Sequence, residues 1–254
     1  MVIGPLLEVC CGSVASALAA QEGGAHRVEL CDNLYEGGTT PSFGTIGLAR
    51  ELLKIKLQVI IRPRGGDFLY SDLEYRIMKE DILRCKEAGV DGVVIGFLTT
   101  EGDVDFERVA EVVKLARPMS VTFHRAFDMT RDPVAALEVL KGLGVDRILT
   151  SGQQNQAPNG ADLIRSLVSQ AGDSLIIMPG GGLNEDNIHH FHQKVKALEY
   201  HATLRRRVES PMRFRREGVY MGGLPQIPEF SILETDPERV RRFVEQLEKE
   251  CNNN

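Results

Sequence analysis

Short apolar runs and amphipathic stretches take turns along this chain. Leu6 to Cys10, Arg27 to Cys31, Leu57 to Arg62, Gly92 to Phe97, Val121 to Phe123, Arg147 to Thr150, Leu175 to Met178 and Ala197 to His201 are rich in aliphatic and β-branched side chains. Turn residues bound each run, so the pattern predicts eight strands. Between them lie segments with helical spacing: Val14 to Ala20, a helix through Leu48 to Leu53, Ser71 to Ala88, Asp105 to Ala116, Val134 to Leu140 and Ala161 to Ala171. Asn184 is read as the cap of a short helix, and Asp236-Pro237 as the start of the last one. Ser13 and Asp132 are N-cap residues, and Pro133 suits a first turn.

Eight strand–helix units in 254 residues average about 32 residues each, the size of one unit in a (β/α)8 barrel. Three helix-to-strand junctions repeat one pattern: Gly24-Ala25-His26-Arg27-Val28, Gly89-Val90-Asp91-Gly92-Val93 and Gly144-Val145-Asp146-Arg147-Ile148. In each, glycine stops a helix and polar positions lead into a strand. The expected fold is α/β, a single TIM-type barrel forming one domain over residues 1–254. An open doubly wound sheet has the same periodicity and is the alternative.

Strands alternate their faces, which sorts the polar positions. Glu8 and Cys10 oppose Leu7 and Val9; Glu29 and Cys31 oppose Val28 and Leu30; Arg62 and Arg64 oppose Ile61. Thr122 shares a face with His124, and Glu199 with His201 and Thr203. Turning the apolar partners toward the helices sends Glu8, Glu29, Arg62, His124 and His201 into the lumen. Buried charges cost several kcal/mol each unless paired, so these groups meet each other or a ligand. A structural salt-bridge layer is one outcome. A ligand site at the C-terminal end of the barrel is the favoured one, because barrel layers are normally apolar.

In that reading Glu8 or Glu29 is a general base, His124 its acid/base partner, and Arg62 and Arg64 a clamp for an anion. The class implied is an enzyme acting by acid/base chemistry on a small phosphorylated or carboxylate metabolite. Arg125, Asp128 and Ser151, which follow strands five and six, join the ligand-binding candidates. So do Gly180 and Gly181, whose bare amides after strand seven suit an anion as well as they suit a tight turn.

The net charge is −6, from 30 Lys and Arg against 36 Asp and Glu, which argues against a nucleic-acid partner. Arg205-Arg206-Arg207 with Arg213, Arg215 and Arg216 is read as a solvated loop. The N-terminus lacks a basic region followed by an apolar core, and no apolar run is long enough for a bilayer, so no membrane partner is expected. Five cysteines without a Cys-x-x-Cys pair fit reduced thiols and a cytoplasmic protein. Cys10 and Cys31 end neighbouring strands on one face. Two thiolates so placed suit a soft ion of low coordination number such as Cu(I); two inert buried thiols are the plainer reading, and the pattern alone favours it. Cys11 is expected to face the helices, Cys85 lies in a helix and Cys251 in the tail, and none is given a role. His189, His190 and His192 are placed on an exposed helix.

Glu8-Val9-Cys10, Val28-Glu29-Leu30-Cys31, Glu36-Gly37-Gly38-Thr39-Thr40-Pro41-Ser42 and Leu149-Thr150-Ser151-Gly152 resemble the CutC family, named for copper homeostasis. So do the long stretches Ile61-Arg62-Pro63-Arg64-Gly65-Gly66-Asp67-Phe68-Leu69-Tyr70-Ser71-Asp72 and Val121 to Asp128. The similarity runs from about Leu6 to Tyr220. The resemblance implies a TIM-like barrel, a cytoplasmic location, a homodimer and a Cu(I) role carried by Cys10 and Cys31. One departure is Ala202-Thr203 after the strand-eight histidine, where relatives tend to carry serine directly after it.

Overall fold

The apolar runs pair side by side in chain order. The computed structural model describes residues 4–222 and 227–249. Its strands are β1 (Leu6–Cys11), β2 (Arg27–Leu30), β3 (Lys56–Ile60), β4 (Gly92–Ile95), β5 (Ser120–Phe123), β6 (Arg147–Thr150), β7 (Ile176–Pro179) and β8 (Glu199–Ala202). All pair in parallel, in the order β7-β6-β5-β4-β3-β2-β1-β8. A parallel bridge between Gly180 and His201 joins the two ends and closes the ring. The expected barrel is therefore present, and the open sheet is not.

Helices α1 (Val14–Glu22), α2 (Phe43–Leu52), α3 (Asp72–Glu87), α4 (Phe106–Ala116), α5 (Pro133–Gly142), α6 (Ala161–Ala171), α7 (Ile188–Val195) and α8 (Pro237–Glu248) follow the strands. Side chains fix where several begin. Ser13 accepts the Ser16 amide, Asp132 accepts those of Val134 and Ala135, and Ser71 with Glu74 forms a capping box. The apolar core lies between the outer strand faces and the helices: Leu7, Val9, Val28, Leu30, Val59 and Ile61 are buried there. The inner faces are polar instead. Glu8, Arg27, Glu29, Gln58, Thr122, Arg147 and Glu199 are all buried.

Two expectations change. The arginine cluster read as a loop begins in a strand, β9 (Arg205–Glu209), which pairs antiparallel with β10 (Ser231–Thr235). Arg206 and Arg207 remain exposed, as a solvated segment would be, while the backbone finds a distant partner. Asn184 does not cap α7. Its side chain accepts the amides of Asp186 and Asn187 in a turn, and the helix starts at Ile188. Among the α7 histidines, His192 meets the Tyr200 hydroxyl at 2.6 Å. Cys251 lies outside the described residues.

Candidate functional site

Register sets the first layer of the lumen. Glu8 on β1 stands beside Arg27 on β2 and His201 on β8. The Arg27 guanidinium pairs with Glu8 and reaches Glu199 at 2.5 Å, while Arg147 reaches Glu199 at 3.0 Å and donates toward the Thr122 hydroxyl. A salt-bridge layer thus does cross the lumen. It takes in Glu8 but is built on Arg27 and Arg147, two residues the strand alternation had not singled out. Burial alone would raise the Glu8 carboxyl; Arg27 and then His201 override it and hold the group well below the ordinary carboxylate range.

Above that layer sit Cys10, Glu29, Cys31 and His201. The β1–β2 register puts Cys10 opposite Glu29. The Cys10 and Cys31 sulfurs are 3.7 Å apart, with both residues buried and both thiols free. His201 Nδ1 donates to Glu8 Oε1 at 2.8 Å, and its Nε2 lies 3.7 Å from Glu29 Oε2. The S–H of Cys31 and the imidazole of His201 bring the Cys10 thiol down to about 5, against the opposing cost of burial. Cys31, the donor of that pair, is pushed well up. Burial, helped by the charge on Cys10, raises Glu29. Burial would lower His201, but Cys10 and the two glutamates outweigh it, so the ring is held as imidazolium. The surroundings thus favour the thiolate of Cys10, the charged ring of His201 and the neutral carboxyl of Glu29.

His124 has the opposite character. It follows β5 directly, and its Nδ1 accepts the Ala126 amide at 3.1 Å, which leaves the ring proton on Nε2. Nε2 is buried with no partner among the described residues. Burial first, then the Arg62 charge, lowers this imidazole to about 3, so it is a neutral donor. Arg62 is also buried, but its guanidinium serves the loops: Nη1 donates to the carbonyls of Glu36 (2.8 Å) and Gly38 (2.9 Å), and Nη2 to that of Gly66 (2.7 Å). It staples the segment after β2 to the segment after β3, with its Cζ 5.2 Å from the centre of the Phe68 ring.

The structure moves three candidates out of the site. Arg64 turns outward to Glu74 (2.6 Å) and Asp67 (3.1 Å), over the Tyr70 ring. Strand alternation does not apply to it, because β3 ends at Ile60 and Pro63 intervenes. Ser151 is fully buried, its hydroxyl shared between Asp128 (2.8 Å) and Arg125 (2.6 Å). Gly180 gives its amide to the Thr150 carbonyl, and a Cβ there would lie 2.6 Å from Leu149 and 3.0 Å from His201, so this glycine serves close packing. Arg125 and Asp128 do line the cavity, paired with each other at 2.8 Å, and so does Gly181.

The cavity has a volume of about 730 Å³ and opens at the C-terminal end of the strands. Its wall includes Cys10, Glu29, Phe68, His124, His201 and Arg205. The wall also includes Arg205, which the sequence reading gave to a solvated loop, Gly182 of the glycine run after strand seven, and Leu183, which it did not single out. Arg27 was legible, since it shares the parity of Glu29 and Cys31. Arg205 had no such signal, because the pairing that aims β9 is not local. Chemically, the floor offers two soft sulfur donors, Cys10 and Cys31, and one carboxylate oxygen of Glu29, all within 4.8 Å of one another.

Comparison with known proteins gives a consistent answer. The model of the CutC family matches residues 5–206. A family protein CutC of Chromobacterium violaceum is 52% identical over 244 residues, 96% of this chain and 98% of that one. The copper homeostasis protein cutC homolog of Mus musculus is 48% identical over 238 residues, 94% of this chain and 88% of that one. The crystal structure of CutC from Streptococcus agalactiae superposes with a TM-score of 0.75 at 37% identity, covering 78% of this chain and 98% of that one.

Proposed function

The chain belongs to the CutC family, and from that membership and the floor of the cavity we propose that it binds Cu(I) between the sulfurs of Cys10 and Cys31, as part of copper homeostasis. The observation that carries this reading is the pair of buried, unbridged thiols 3.7 Å apart. Thiolate is the ligand that selects Cu(I) over the harder ions of the cell. Cys10, held low by its neighbours, supplies one thiolate at neutral pH; Cys31 loses its proton to solvent as the metal binds. Copper here is cargo rather than a cofactor of a reaction.

The reading includes the cytoplasm and a homodimer. The four cysteines among the described residues are buried and free, which suits a reducing compartment. No helix among the described residues is long and apolar enough to cross a membrane. The family resemblance supplies the dimer. A competition titration against a colorimetric Cu(I) chelator tests the copper site. One equivalent should bind to the reduced protein and none to Cys10→Ser/Cys31→Ser. Equal binding by both would remove the assignment.

A further inference from the structure

The cavity exceeds what two sulfurs and one copper ion fill. Its volume of about 730 Å³ lies in the range, roughly 300–1,000 Å³, of pockets that enclose small organic ligands. Several groups on its wall are unused by the thiol floor. His124 Nε2–H is a buried donor without an acceptor. Arg205, at the start of β9, has no side-chain hydrogen bond or ion pair among the described residues. The amides of Gly182, in the left-handed region at φ +76°, and Leu183 find no acceptor among the described residues either. Arg125 and Arg239 stand on the same wall, but Asp128 and Glu185 neutralise them at 2.8 Å each.

We propose that the cavity binds a small phosphate monoester, its phosphoryl group held by Arg205 and the Gly182–Leu183 amides and its body lying against Phe68 with an oxygen accepting from His124 Nε2. The groups left unpaired at the anion end are donors: the Arg205 guanidinium fork, and backbone N–H groups on a turn after the seventh strand, where such barrels hold phosphate. The other end offers a donor without charge, which fits a hydroxyl or carbonyl oxygen better than a second anion. A buried donor left unpaired is costly, and a ligand oxygen there removes that cost. This inference goes beyond the copper reading and does not depend on it.

Calorimetric titration of the reduced, metal-free protein with ribose 5-phosphate tests it, so that failure of the copper site leaves the result interpretable. Saturable one-to-one binding is expected, competed by inorganic phosphate. Arg205→Ser should weaken it about ten-fold or more, as loss of a charge-assisted contact implies, while Arg206→Ser on the exposed side of β9 leaves it unchanged. Arg205 has no partner to lose, so the variant should fold, and His124→Asn tests the other end. Absence of saturable binding, equal affinity for citrate, or wild-type affinity in Arg205→Ser would each overturn the proposal.

Discussion

Two imidazoles a few residues from the strand ends behave in opposite ways, and their hydrogen bonds say why. His201 faces Glu8 and the Cys10 sulfur, so its charge is favoured; His124 accepts an amide and faces Arg62, so its charge is not. His124 stays neutral in the folded state down to about pH 3, while an unfolded histidine takes a proton near pH 6.5. Its contribution to stability is therefore complete above pH 6.5 and falls away as pH drops from there toward 3, at up to about 1.4 kcal/mol per unit. Denaturation of wild type and His124→Gln between pH 4.5 and 6.5 checks this: the wild-type curve should be the steeper, and parallel curves would show that the ring is solvated. Copper binding carries its own pH signature. Above about pH 5 the metal displaces one proton, from Cys31; below it, two. Cu(I) affinity should rise about ten-fold per pH unit above that point and more steeply below it. A pH-independent affinity would mean that Cys31 is not a ligand.

At the scale of elements, the polar layer ties β1, β2, β6 and β8 together through Arg27 and Arg147. Arg27→Met leaves Glu8 and Glu199 buried beside fewer cations, and breaking such a network by removing one partner costs about 3–5 kcal/mol. Urea denaturation should show a loss of that order; a loss under about 1 kcal/mol would mean that water already compensates the carboxylates. The strands themselves were legible because alternation is strict while the backbone is extended. It placed Glu8, Glu29, His124 and His201 in the lumen. It failed for Arg64, where the rule was carried beyond the strand and across a proline. It missed β9 because an arginine run with exposed side chains resembles a loop, and its partner β10 lies more than twenty residues downstream.

Across the whole molecule, the barrel brings together side chains from β1, β2, β8 and the segments after β5 and β7 that no local motif relates. Fold class was readable because the same unit repeats around the chain and its helices start at recognisable caps. The site was readable only in part. Strand parity shows which residues enter the lumen, but not which of them satisfy one another. Glu8 is spent on Arg27 and His201, and the Nη atoms of Arg62 on loop carbonyls, whereas the Cys10–Cys31 pair and His124 Nε2 retain unused valence at the cavity. In the proposed copper site the thiols, not the surrounding oxygens and nitrogens, hold the metal. X-ray absorption at the copper edge, on reduced protein loaded with one equivalent of Cu(I), tests it most directly. A first shell dominated by two sulfurs, lost in Cys10→Ser/Cys31→Ser, is the predicted result. A first shell of nitrogen and oxygen alone would contradict it.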